Sequence, residues 1–377
     1  MNTLENIPGT RRKYNKWVAN ETLEDFALRF TARRARRWSV SRIANTALGT
    51  VSFLVLEALG GTITLSYGFT NSAWAIVVVC LFLFLTGLPI SYYAARYGVA
   101  VDLLERGAGF GYIGSTISSL IYASFTFIFF ALEATIMSMA LKILFGIPLP
   151  IAYVISSILV IPLVTHGISM ISRFQNWSQP IWIMLQLLPV IFIIGHSIVS
   201  VDDWTQYQGV NPTGDGGFDI LLFGAACAVL FSLVAQIGEQ VDFLRFLPEK
   251  TKENSKRWWL AMIMGGPGWV IFGLAKLFLG SFLAFLALSH GIEASLAADP
   301  THMYQLAFNY VTSSPELALG LAGIFVILSQ LKINVANAYA GSLAWSNFFS
   351  RLTHHHPGRV VWVFFNVSIA LLLMEMG

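Results

Sequence analysis

Glu57, Glu133 and Lys332 sit inside runs that are otherwise apolar, in "VLEALGGTITLSYG", "FTFIFFALEATIM" and "SQLKINVANAYAGSLAWSN". Ionisable groups at mid-membrane are costly, face a bundle interior and mark ligand or ion pathways. The chemistry open to such a set is binding and charge exchange. A carboxylate accepts hydrogen bonds or a proton, an ammonium donates them, and a carboxamide does both. Bond-making chemistry is not expected. "GAGFG" has no strand before it, Cys80 and Cys227 give no metal spacing, and the histidines of "THHHPGR" do not share one helical face. No metal site and no enzyme is expected.

Phe129 precedes Glu133 by four residues, which puts an aromatic plate and an acceptor on one helical face. A flat heteroaromatic ligand can stack on the first and hydrogen-bond to the second. Glu57 is followed by Gly60 and Gly61, each weakening a helix by about 1 kcal/mol relative to alanine. The expectation is a broken helix that frees backbone groups; the alternative is close helix packing. In "LFSLVAQIGEQVDFLRF" an interruption is expected over Ser232–Gly238, with Gln236 inside it and the charges after Gln240 at the surface. The alternative is an ordinary helix end at Gly238. Matching interruptions in two halves of a chain point to a central binding site. Gln330, Asn334, Asn337 and Gly341 form a polar stripe, with Lys332 and Tyr339 roughly opposite, so this helix must be central.

The elements that position these groups follow from composition. The chain has 377 residues, 56% hydrophobic and 11% charged, against about a quarter charged in soluble domains. It reads as an all-α polytopic membrane protein. About 20 apolar residues cross the hydrocarbon core, and nine runs qualify: 48–68, 71–94, 115–144, 147–166, 178–199, 218–239, 258–288, 315–340 and 360–375. The last ends with the sequence, so a C-terminally truncated protein is expected. Residues 1–47 form a basic segment holding Arg11, Arg12, Lys13, Lys16, Arg29, Arg33, Arg34, Arg36, Arg37 and Arg42. Basic loops alternate with neutral or acidic ones thereafter, which places the N-terminus in the cytoplasm by the positive-inside rule. "FTARRARRWS" has no aromatic interleaving for bases. Membrane lipid, not nucleic acid, is its expected partner.

"VDFLRF" (241–246), "NVANAYAGSLAWSN", "RRWSVSRIANTALG" and "PISYYAARYGVAVDLLERGAGFGYIGS" resemble the nucleobase:cation symporter-1 permeases, which carry cytosine, purines, uracil, thiamine, allantoin or hydantoins. The resemblance implies a transporter fold of two inverted five-helix repeats with helices 1 and 6 broken. Residues 48–377 would be an incomplete permease-like domain. It implies a small-molecule substrate held by Phe129, Glu133, Ser232, Leu233, Gln236 and Asn337 near Gly60 and Gly61. Leu233 stands where the family has a second aromatic. Leu331 and Lys332 stand where it has sodium-binding hydroxyls. Glu57, Lys332 and Asn334 are therefore expected to couple or replace the ion, with Lys332 paired to Glu57 and proton rather than sodium coupling. No other cofactor is implied. The expected function is a nucleobase-like permease of a bacterial inner membrane; the alternative is the ligand-sensing module of a longer signalling protein such as a histidine kinase.

Overall fold

Inside hydrocarbon every backbone amide needs an internal partner, which favours helices. All regular structure among the described residues is helical. The computed structural model describes residues 16–196, 201–210 and 217–377; Arg11, Arg12 and Lys13 lie outside the described residues.

The first span begins as α1 (Val40–Thr50) and resumes as α2 (Val55–Tyr97) after a non-helical segment at 51–54. At about 1.5 Å per residue, α2 is too long for one crossing. Its ladder turns at Gly68, with φ 76° and ψ 164°, a conformation open to glycine and strained for other residues. That corner separates the first span from the second. The next three spans are α3 (Gly111–Phe145), α4 (Leu149–Thr165) and α5 (Gly167–His196).

The sixth span is α6 (Ile220–Leu230), a 3₁₀ stretch over Phe231–Ala235, and α7 (Gln236–Leu244). The seventh is interrupted as well. Gly266, Pro267 and Gly268 separate α8 (Ser255–Gly265) from α9 (Trp269–Ser289), and Gly266 has φ −106° and ψ −116°. The single apolar run 258–288 gives no sign of this interruption beyond its Gly-Gly-Pro-Gly stretch. A short outer helix, α10 (Pro300–Asn309), leads to α11 (Pro315–Thr353) and α12 (Arg359–Met376).

Two packed groups result. α2 lies along α6, α7 and α9; α3 lies along α4, α11 and α12; α1 and α5 join them. Gly60 and Gly61 fall inside α2, so the break expected there is absent. The physical reason is packing: a methyl group at Gly60 would land on the Leu277 carbonyl, and one at Gly280 on the Glu57 backbone. Small residues at such contacts let two helix backbones approach closely.

The end of the bundle that bears the basic loops, its inner end, is covered by residues 20–38. Glu24, Asp25, Phe26, Thr31, Arg36 and Trp38 are buried. Arg33, Arg34 and Arg37 are exposed, but the Arg36 guanidinium donates to the Leu247 carbonyl at 3.0 Å and the Ala95 carbonyl at 2.6 Å. Part of the basic run is therefore structural.

Candidate functional site

Val51–Leu54 contains neither glycine nor proline, and its geometry is set from outside. Ser52 Oγ donates to the Ser329 carbonyl of α11 at 2.9 Å, and the Leu54 amide donates to Gln330 Oε1 at 3.3 Å. The freed Ser52 carbonyl accepts from Lys276 Nζ of α9 at 3.1 Å. Backbone outside a helix is tolerated at membrane depth only where it is buried in protein or lines a cavity. Here side chains of α9 and α11 satisfy it.

Lys276 also pairs with Glu57 Oε1 at 3.1 Å, and the same oxygen accepts from the Tyr304 hydroxyl of α10 at 2.9 Å. Gln186 Nε2 of α5 donates to that hydroxyl at 2.6 Å. The lysine ammonium thus sits against a freed carbonyl and a carboxylate, a place chemically suited to a metal cation. The expected partnership of Glu57 with Lys332 does not occur. Lys332 Nζ reaches α5 instead, donating to Ser178 Oγ at 2.9 Å and Gln179 Oε1 at 3.0 Å. Lys332 projects from the wrong face of α11 to meet Glu57, and Lys276 takes that role. Lys276 was legible as a lone lysine in "VIFGLAKLFLGSF", by the same rule that singles out Lys332.

α3 pairs antiparallel with α11, which brings Glu133 and Phe129 to the levels of Asn334 and Asn337. Ser119 meets Asn347, Thr126 meets Gly341 and Leu144 meets Gly323. Interpolating that register puts Glu133 level with Asn334 and Phe129 level with Asn337. Glu133 is fully buried. The Gln330 side chain and the Leu54 backbone lie beside it, with Lys276 and Glu57 in electrostatic reach. Its carboxylate oxygens face the Gln330 amide without reaching close hydrogen-bond geometry, and Asn334 Nδ2 and Asn337 Oδ1 are unpartnered. Asn337 Nδ2 donates to Asn334 Oδ1 at 3.2 Å. Buried polar groups are nearly always paired, so this concentration of unpaired atoms marks a place built for something else. Phe129 is buried against Phe125, with ring centroids 4.4 Å apart.

The sixth span differs from expectation in two ways. Its interruption is a tightened 3₁₀ turn, and Gly238 lies within α7 against the Tyr122 ring. Leu233 and Gln236 are buried, but Ser232 is exposed. The residues after Gln240 do not reach the surface: Glu239, Gln240, Asp242 and Arg245 are all buried. Of these, Arg245 is bonded to the covering segment, while Glu239 accepts from Gln236 Nε2 at 2.7 Å and the Gln240 and Asp242 side chains have no partner. Arg245 Nη2 donates to the Asp25 carbonyl at 2.9 Å and to the Tyr339 hydroxyl at 2.5 Å, and Tyr339 donates to Asp25 Oδ2 at 2.7 Å. Arg359 binds the Leu23 carbonyl at 2.9 Å, and Glu24 accepts from the Arg359 amide at 3.1 Å and contacts His356. The inner end beneath the site is thus closed.

A cavity of about 780 Å³ lies between α5 and α9 beside the break, and Val51, Gln179, Gln186 and Lys276 are among the residues that line it.

Solved structures share this fold. MHP1, a nucleobase-cation-symport-1 family transporter in a closed conformation with bromovinylhydantoin bound, superposes with a TM-score of 0.67 at 19% identity, over 95% of this chain and 75% of that one. The chain has the inverted-repeat symporter fold. A Na+-coupled sialic acid symporter in its substrate-bound outward-open state matches at TM-score 0.60 and 14% identity, again over 95% and 75%. A point mutant of the Eremococcus coleocola manganese transporter matches at 0.55 and 14%, over 89% and 70%. No protein-family profile and no curated protein matches the sequence. In this fold the expected breaks in the first and sixth spans stand, displaced to Val51–Leu54 and reduced to Phe231–Ala235. The helices are integral to a membrane by length and apolarity: among the described residues, seven are long and apolar enough to cross one.

Proposed function

We propose that the chain is a secondary transporter for a small, nitrogen-rich, nucleobase-like molecule, with the N-terminus in the cytoplasm of a bacterial cell and the inner membrane as its site. One observation carries this reading: Glu133 lies buried beside Gln330 and the Leu54 backbone at the broken first span, with the Asn334–Asn337 pair at the same level of α11 and under-bonded. A planar ligand resting on Phe129 presents donors to Glu133 and Asn337 Oδ1 and an acceptor to Gln330 or Asn334. Leu233 supplies an aliphatic rather than aromatic wall.

Sodium does not suit the remaining chemistry. Leu331 and Lys332 offer no hydroxyls, and the Lys276 ammonium takes the freed Ser52 carbonyl. Glu57 and Glu133 share this one nearby ammonium, so a proton on Glu133 completes the charge balance and serves as the coupling ion. Uptake of labelled hydantoins and nucleobases into proteoliposomes tests the proposal. Uptake is expected to persist without sodium and to rise with an inward proton gradient, and Glu133→Gln is expected to abolish the gradient's effect. Strict sodium dependence, or an undiminished proton response in that variant, overturns the coupling assignment. Failure of the whole panel to bind overturns the substrate class.

A further inference from the structure

A second buried polar region lies inward of the pocket, on α7. Gln236, Glu239, Asp242 and Arg245 recur at every third residue. Each adjoins the next, with about 4.5 Å of rise per step. All four are buried. This ladder starts beside the 3₁₀ interruption of the sixth span and ends at the covering segment, where Arg245 binds the Asp25 and Phe26 carbonyls. We infer that Glu239 is a second proton-binding site, which exchanges its proton with Asp242 through the Tyr122 hydroxyl.

The two carboxyls differ in what surrounds them. Asp242 has the Arg245 charge and the Val101 amide beside it. The titratable groups in reach of Glu239 are Asp242 and Tyr122, and neither brings a positive charge. Glu239 Oε2 accepts from Gln236 Nε2 at 2.7 Å, and Oε1 has no partner. A buried carboxylate without a cation is costly enough that it takes up a proton instead. Of two neighbouring carboxyls that share one proton, the less supported one holds it. Glu239 is therefore the neutral member and Asp242 the ionised one.

Tyr122 of α3 is an independent sign of the same site. Its ring packs against Gly238, and the residue is 5% exposed. Its hydroxyl has no partner, although Glu239, Asp242 and Asp102 all lie in electrostatic reach. A hydroxyl among carboxyls can accept from one and donate to another, which is what a relay between Glu239 and Asp242 requires. Among the described residues these acids are not grouped as metal ligands. Tyr122 precedes Glu133 by eleven residues on α3, about 16 Å nearer the inner end. The two sites thus stand at different depths. A role for Glu239 in passing the coupling proton onward rests on the transport reading; the proton it holds does not.

Infrared spectroscopy of the protein in lipid films tests this at neutral pH, through the C=O stretch that only a protonated carboxyl has. Glu239→Gln is expected to remove one component of that absorption and Glu133→Gln a different one, whereas Asp299→Asn, at the ion-paired outer helix, removes none. Glu239→Asp should keep the component at a displaced frequency. Tyr122→Phe should keep its intensity but slow its shift on transfer to heavy water by about tenfold, as loss of one hydrogen-bonding partner does. An unchanged absorption in Glu239→Gln and Glu239→Asp overturns the site, as does loss of the component from the parent protein on adding sodium. An unaltered rate in Tyr122→Phe overturns the relay, and that variant keeps Glu239 in place, so it decides the point even where Glu239→Gln does not fold. Absence of the Glu133 component alone counts against the transport proposal and leaves this one standing.

Discussion

Replacing Lys276 by methionine isolates the contribution of the ammonium at the break. Glu57 is fully buried and Lys276 nearly so, and their charged atoms are 3.1 Å apart. Removing one member of such a pair strands the other charge in a low dielectric, at a cost of about 3–5 kcal/mol. The Ser52 carbonyl also loses its donor. At roughly 2 °C per kcal/mol, the lower figure for large domains, the midpoint of thermal unfolding should fall by about 6–10 °C. Substituting both members, Glu57→Gln with Lys276→Met, leaves no stranded charge and retains an acceptor for the Tyr304 hydroxyl. Replacing both members of a buried pair is often near neutral, so the double variant should recover most of the loss. Tryptophan fluorescence of the purified protein during heating reads all four corners of the cycle. If the single variant melts within about 2 °C of the parent, the ammonium is not holding the break. If the double variant melts no higher than the single, the two charges are not coupled.

Gly60→Ala should destabilise by about 1–3 kcal/mol, because its methyl meets the Leu277 carbonyl, whereas Gly195→Ala, facing open space, should be neutral within about 0.5 kcal/mol; equal melting of the two would remove the packing explanation. Tyr339→Phe deletes the hydroxyl between Arg245 and Asp25, so amide exchange over residues 22–30 should quicken by about tenfold, and unaltered exchange would show that the covering segment is held by other contacts. At the outer helix, hydrogen bonding to Asp299 and its charge raise the His302 pKa despite burial. Burial raises the Asp299 pKa, but His302 and the Thr301 and His302 amides outweigh it and bring the carboxyl below its usual range. The histidine's contribution is complete below about pH 6.5 and fades as pH rises through its elevated value; the carboxylate's is complete above about pH 4 and fades as pH falls through its depressed value. Protection factors at the start of α10, corrected for the intrinsic pH dependence of exchange, should therefore be largest between these limits, and Asp299→Asn should flatten the profile.

Much of this was legible in the chain because the membrane makes polarity expensive. Runs of about 20 apolar residues located the spans, and Glu57, Glu133, Lys332 and Asn337 all prove to be buried. What local sequence did not carry was which buried groups meet. Val51–Leu54 has no helix-breaking residue, and its shape comes from Lys276, Ser329 and Gln330, far along the chain. The glycine pair has the composition of a break, yet the deciding atoms are the Leu277 and Glu57 backbones across a helix contact. Propensity reports how easily a segment bends, not what presses against it. Asp242 and Arg245 looked like surface charges for a similar reason, since residues 20–38 fold back to cover them.

The corner at Gly68 has a mechanical result. It ties the outer part of the first span to the second without slack, and the glycine contacts with α9 clamp the pair to a third helix. In the transport cycle proposed above, these three would move together, and the interruptions at Val51–Leu54 and Gly266–Gly268 are the places at their ends where the backbone ladder is already open.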